Sequence, residues 1–272
     1  RNRFARLTET VERLQDLYHL ETGEHQLGFD PSLALKVTLD HFYGIELDEW
    51  PAKIAETAMF LIDRQCDLRL KERFGEAPQR LPIQQQATIV AGNALAMAWA
   101  SLLPPSEDVI VAGNPPFVGM AWMSTDQQAD NRAAFGALPE AKGLRSGRLD
   151  YVASWYAKAL AYLRGTDGRA AFVSTNSITQ GEQARTMLPL LQRCAFEVDF
   201  AHQTFKWTSE APKAAAVHCV IVGFSSTARP GKTKRLFTYR TLTSTPEEST
   251  PARLNFYLVD GQIGRASCRE RE

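Results

Sequence analysis

Short β-rich runs alternate with helical patterns along this chain, and the alternation limits the fold more than any single motif. The runs are "HFYGIEL" (41–47), "ATIVAG" (87–92), "DVIVAG" (108–113), "RAAFVST" (169–175) and "AAAVHCVIVGF" (214–224). Phe4, Leu7, Val11, Leu14, Leu17 and Tyr18 mark the apolar stripe of an opening helix that Thr22-Gly23 ends. "DEWPAKIAETAMFLIDRQ" (48–65) follows the first run, with Asp48 as candidate cap and Pro51 in the first turn, and "LDYVASWYAKALAYL" (149–163) is an amphipathic helix between two later runs. Strands feeding helices in this way imply an α/β fold, a mostly parallel sheet with helices on both faces. At 272 residues, 44% hydrophobic, the chain can bury the core of one large domain, or one domain and a fragment.

The texture changes near residue 226, where "SSTARPGKTKRLFTYRTLTSTPEESTPA" reads as a linker whose core would lie elsewhere. The last residues, "IGRASCRERE" (263–272), read as a non-native tail similar to translated adapter sequence, with a polar terminus as the alternative. Neither reading assigns chemistry to Cys268. The formal net charge is zero, so a nucleic-acid partner must be met by a local basic patch. Four cysteines without a CxxC pair and five histidines without an HExxH cluster imply reduced thiols and no metal site. No apolar run reaches the roughly 18 residues of a membrane span and no signal peptide opens the sequence. The expected location is cytoplasmic, with no membrane partner.

One run ends in a way that ordinary strands do not: "DVIVAGNPPFVGM" passes straight into Asn114-Pro115-Pro116-Phe117. An exocyclic amine on an aromatic base is a poor nucleophile because its lone pair is delocalised into the ring. Two acceptors on its two N–H groups favour a pyramidal nitrogen, and an Asn side-chain oxygen with the carbonyl of the next residue suits that task. Two prolines fix φ and donate no N–H, so such a turn is stiff. An aromatic residue just after them can stack on a base rotated out of its helix. On these four residues alone, a plain strand-ending turn reads equally well.

In context the sequence resembles the amino-methyltransferases that use S-adenosylmethionine (AdoMet), whose fourth motif is Asn/Asp/Ser-Pro-Pro-Tyr/Phe at the end of a central strand. "GNPPF" matches the adenine-N6 form. The resemblance makes Asn114, Pro115, Pro116 and Phe117 catalytic. In "FYGIELDE" it assigns Glu46 to the ribose of AdoMet and Leu47 to its adenine, a helix-start charge being the alternative for Glu46. In "IVAGNALAMAW" Asn93 stands where the group more often carries Asp, on the adenine amine of the cofactor. "GRAAFVSTNSITQGEQA" (168–184) and "FAHQTFKWTSEAPKAAAVHCVIVGF" (200–224) resemble later motifs that line the target-base pocket, with Phe205 as second stacking ring and Trp207 its competitor; core packing is the alternative for both. The longer strings "HFYGIELDEWPAKIAETAMFLIDRQ", "FVSTNSITQGEQ" and "TFKWTSEA" are similar to the MmeI-type restriction–modification enzymes, single chains that join an endonuclease, a methyltransferase and a target-recognition domain.

That resemblance implies a methyltransferase catalytic domain over residues 1–225, a linker over 226–262 toward a target-recognition domain, and the tail 263–272. The group's Gly-rich turn is not found; "FDPSLAL" (29–35) begins like it without glycines, so the sequence is expected to be a catalytic domain truncated at both ends. Lys142, Arg145 and Arg148, then Arg229, Lys232, Lys234, Arg235 and Arg240, are candidate phosphate contacts on double-stranded DNA, or a solvated loop. The expected function is transfer of a methyl group from AdoMet to adenine N6 in duplex DNA, without metal. Methylation of RNA adenine or of a protein glutamine, and a non-catalytic DNA-binding remnant, are the rivals.

Overall fold

The computed structural model describes residues 37–74, 86–207, 217–229, 231 and 233–261. The expected opening helix, "FDPSLAL", Lys232 and the tail lie outside the described residues. The chain forms two compact units, residues 1–94 and 95–272.

In the first unit β1 (Tyr43–Glu46) and β2 (Thr88–Ala91) pair in parallel, Tyr43 with Thr88 through to Glu46 with Ala91. Helix α1 (Glu49–Phe74) connects them and runs well beyond the expected end at residue 65. Its sequence from 66 to 74 contains no Gly or Pro to stop it.

The second unit holds α2 (Trp99–Leu102), β3 (Ile110–Gly113), α3 (Thr125–Gly136), α4 (Ala153–Tyr162), β4 (Arg169–Thr175), α5 (Gly181–Arg193), β5 (Phe196–Trp207), β6 (Val217–Ser226), β7 (Arg235–Thr238) and β8 (Glu247–Ser249). The six strands form one sheet in the order β3-β4-β6-β5-β7-β8. The α/β class is as the alternation implied. The sheet, however, is mixed, where a mostly parallel one was expected. β3 with β4 and β5 with β7 are parallel, whereas β4 with β6, β5 with β6 and β7 with β8 are antiparallel. The physical reason lies in the connection: residues 208–216 are too few for a crossover of a dozen or more residues, so β6 returns beside β5 as a hairpin.

The core of this unit is built around Tyr156 of α4. Its ring stacks on Phe224 at 5.5 Å and meets Phe172 at 5.1 Å and Phe256 at 5.9 Å. Its hydroxyl lies 2.9 Å from Ser174 Oγ, which satisfies two polar groups that are fully buried. Small residues bring the helix close: Ala153, Ala157 and Ala159 have no exposed surface. The expected helix over 149–163 begins only at Ala153, because Leu149, Tyr151 and Val152 are drawn into the core as an irregular entry.

Residues 226–262 are not a linker with its core elsewhere. They add β7 and β8 to the sheet, and Leu236, Leu254, Phe256 and Leu258 join the same buried cluster as Tyr156 and Phe224. Most of the described Ser and Thr of the segment stay exposed around those few apolar anchors.

β6 passes beneath Phe200 of β5 at Gly223, its register partner. A Cβ built at 223 would overlap the Phe200 ring. Gly223→Ala is therefore expected to destabilise the protein by about 1–3 kcal/mol, the usual cost of overpacking, as a drop in the midpoint of chemical unfolding. An unchanged midpoint would mean that the ring moves aside freely.

Candidate active site

The ladder between β3 and β4 ends at Gly113 opposite Phe172, and Pro115 and Pro116 cannot extend it because they carry no N–H. The loop that follows leaves the C-terminal end of a parallel strand pair, where α/β folds place their ligands. Asn114 is exposed there, and its amide makes no hydrogen bond to a described residue. Pro115 is buried, Pro116 exposed, and Phe117 half-buried. Strand end, rigid turn and free amide thus coincide at Asn114.

Farther along, the loop is gripped from outside. Asp150 Oδ1 accepts the Met120 N–H at 3.0 Å, and the Tyr151 N–H donates to the Val118 carbonyl at 2.9 Å. Asp150 Oδ2 accepts from Ser177 Oγ at 2.9 Å and from Gln183 Nε2 at 2.7 Å, while the Asp150 N–H donates to Gln183 Oε1 at 3.3 Å. Ser177 lies in the short turn that follows β4, and Gln183 in the first turn of α5. The Tyr151 hydroxyl donates to Asp130 Oδ2 of α3 at 2.7 Å; burial first, then this contact, pushes the phenol far above its ordinary range.

Phe205 sits after an irregularity in the β5–β6 register between His202 and Phe205, the kind of bulge that re-aims a side chain. It is half-buried, and its ring stacks on Tyr239 at 5.4 Å. His202 stacks on Phe237 at 4.2 Å, and its Nδ1 lies 2.8 Å from the Tyr239 hydroxyl. Tyr239 thus backs one face of Phe205. The backbone of Trp207 pairs with Val217 in the ladder, and its side chain lies outside what the structure describes.

The basic residues divide. Lys234 is held between Glu197 at 2.8 Å and Asp199 at 3.5 Å and is largely buried. Arg235 makes two hydrogen bonds to Glu248, at 2.6 and 3.1 Å, and lies over the Phe237 ring. Both are candidate phosphate contacts, and here each is paired with carboxylates of the sheet. Arg240 is paired with Glu247 as well. Lys142, Arg145 and Arg148 are exposed on the segment before α4, with Arg145 only loosely paired with Glu182 at 3.5 Å.

In the first unit, Glu46 ends β1, and the Gly92 N–H donates to its carbonyl at 2.7 Å. Glu46 and Asn93 thereby stand at the C-terminal ends of neighbouring parallel strands. Leu47, directly after Glu46, is 68% exposed. A carboxylate and an amide oxygen that can accept from a ribose diol and an adenine amine, with an unburied apolar side chain beside them for the ring, fit the adenosine end of AdoMet. Among the described residues no cluster of His, Cys, Asp and Glu could hold a metal ion, and no helix is long and apolar enough to cross a membrane.

The sequence profile of the MmeI DNA-methyltransferase domain matches residues 7–238. This chain belongs to that family. DNA methyltransferase A of Bacillus subtilis (strain 168) is 34% identical over 217 residues, which span 79% of this chain and 23% of the relative. The solved structure of the Type IIL restriction-modification enzyme MmeI in complex with DNA superposes with a TM-score of 0.76 at 37% identity, over 90% of this chain and 32% of that one. The chain therefore spans about a quarter to a third of the length of these relatives. The Rossmann-like α/β fold of AdoMet-dependent methyltransferases, and a DNA-methyltransferase domain of the restriction–modification kind, are what MmeI-family membership establishes.

Asp150 is absent from the residues that the sequence singles out, and Ser177 and Gln183 lie within "FVSTNSITQGEQ" without a role of their own. Asp150 carries a signal, an acid between Leu149 and Tyr151 that are both buried, but the pattern around it reads as the start of an amphipathic helix.

Proposed function

We propose that this chain is the catalytic domain of a fused restriction–modification protein and methylates adenine N6 in double-stranded DNA, with AdoMet as donor. The reading rests above all on Asn114, an exposed amide with no hydrogen bond to a described residue, on a proline-stiffened turn at a strand end. Asn114 Oδ1 and the Pro115 carbonyl accept the two N–H groups of the adenine amine and draw its lone pair out of conjugation. Both acceptors are set before the base arrives, so catalysis is mostly positioning. Phe117 stacks on the extruded base, and Phe205, backed by Tyr239, is the second ring. When bound, AdoMet supplies the electrophilic methyl group. Glu46 accepts from its ribose hydroxyls, Asn93 from its adenine amine, and Leu47 packs on the adenine. Lys142, Arg145 and Arg148 meet DNA phosphates. Nuclease and target-recognition functions belong to other parts of the same polypeptide, and a genomic DNA substrate implies a cytoplasmic location.

Transfer of tritiated methyl from AdoMet by the complete polypeptide, offered DNA, RNA and protein in parallel, tests the assignment. Label is expected in duplex DNA alone and, after digestion, in N6-methyl-2'-deoxyadenosine. Label confined to protein or RNA would overturn it. Glu46→Ala is expected to weaken AdoMet binding about tenfold or more in calorimetry, since a hydrogen bond to a charged group contributes about 1.5–3 kcal/mol. Unchanged affinity would leave Glu46 as no more than a charge at the start of α1.

A further inference from the structure

We infer that Asp150 is a positioning residue for methyl transfer: its carboxylate clamps the loop that carries Asn114 and Phe117 to the turn that follows β4 and to the start of α5. The inference rests on the proposed function and extends it to a residue outside the Asn-Pro-Pro-Phe motif. β3 and β4 are parallel neighbours, so the loops leaving their C-terminal ends run side by side. Two prolines stiffen the first loop locally, but its far end, toward Met120, is free to swing unless something fixes it. Asp150 fixes it with each oxygen doing a different job. Oδ1 takes the Met120 N–H, and Oδ2 takes Ser177 Oγ and Gln183 Nε2. The next residue adds a second grip two positions earlier, from the Tyr151 N–H to the Val118 carbonyl. Ser177 is itself braced by Thr175 Oγ1 at 2.7 Å.

The hydrogen-bond polarity of this clamp is fixed, which makes it testable by exchange of polarity. In Asp150→Asn, Oδ1 still accepts from Met120, but an NH2 group faces the NH2 group of Gln183. Rotating the Gln183 amide does not help, because its NH2 then faces the Asp150 N–H, which now donates to Gln183 Oε1. Gln183→Glu alone sets two carboxylates against each other. The double variant D150N/Q183E restores every donor to an acceptor: the amide introduced at position 150 donates to the carboxylate introduced at position 183, and Ser177 rotates its hydroxyl to accept.

In the complete polypeptide, Asp150→Asn and Gln183→Glu are each expected to lower kcat for DNA methylation by about 10- to 100-fold, since a displacement of about 1 Å at a reacting centre can cost 100-fold. KM for AdoMet should stay unchanged, and D150N/Q183E should recover to within a few-fold of the unaltered protein. Amide hydrogen exchange across residues 114–123 should rise in both single variants and fall back in the double. A single variant that keeps more than half of kcat, or a double no better than the worse single, overturns the inference. So does a double variant that regains thermal stability without kcat, because that marks a role in folding alone. If the unaltered polypeptide methylates RNA or protein in place of DNA, the proposed function fails, and exchange across 114–123 still decides the clamp: unchanged exchange in D150N removes it.

Discussion

Asn114→Ala in the complete polypeptide is expected to slow methyl transfer by on the order of 10²- to 10³-fold, the usual loss when one oriented group is removed from a preorganised site. DNA affinity should stay close to that of the unaltered protein, because the amide acts on the base amine and not on phosphates. Fold stability should also hold. Asn114 is exposed and bonds to no described residue, so its truncation leaves no described partner unsatisfied, and Pro115 and Pro116 keep the turn. Single-turnover rates at saturating AdoMet, with equilibrium DNA binding beside them, separate the two effects. A variant that keeps more than half of the rate would reduce Asn114 to a turn residue. Asn114→Asp should be milder, since a carboxylate still accepts.

Phe224→Ala is expected to be the costliest core substitution, about 3–5 kcal/mol, which removes most of the stability of an ordinary domain. The ring is fully buried and touches three others, Tyr156 at 5.5 Å, Phe172 at 6.2 Å and Phe196 at 6.1 Å. β6 lies inside the sheet between β4 and β5, so the walls of the cavity cannot collapse without moving both neighbours. Chemical unfolding checks the figure. A loss below about 1 kcal/mol would mean that Tyr156 or Phe256 moves in to fill the space.

What could be read from the sequence divides along physical lines. Strands β1, β2, β3, β4 and β6 were legible because strands need runs of Val, Ile, Ala and Phe, and the site loop because Asn-Pro-Pro stops a ladder abruptly, whereas β7 and β8 were hidden in a polar stretch with few apolar anchors. Helix α3 was not legible. "TDQQADNRAAFG" is polar nearly all round and buries only Asn131, Ala134 and Phe135, so its start is fixed by a capping box in which Ser124 and Gln127 exchange hydrogen bonds. The direction of β6 was hidden because strand composition says nothing about polarity, and only the short connection before it decides. The pairing of Lys234 and Arg235 was not legible, because Glu197, Asp199 and Glu248, their partners, are brought to them only by the sheet. Asp150 escaped notice for the same reason: the three groups that donate to its carboxylate lie about 30 residues away in either direction.

The return of residues 250–260 to the core sets the seam at which this domain can be cut and rejoined. Leu258 is held at a φ of 56°, a left-handed conformation that costs a leucine about 1–2 kcal/mol, which burial of its side chain must offset. Gln203 secures it further by donating to its carbonyl at 2.8 Å. A chimera that exchanges everything beyond the polar stretch at residue 226, where the composition suggests a joint, would strip Leu236, Leu254, Phe256 and Leu258 from around Tyr156 and open the catalytic core to water. A crossover placed after Gly261 leaves those plugs with the domain they seal.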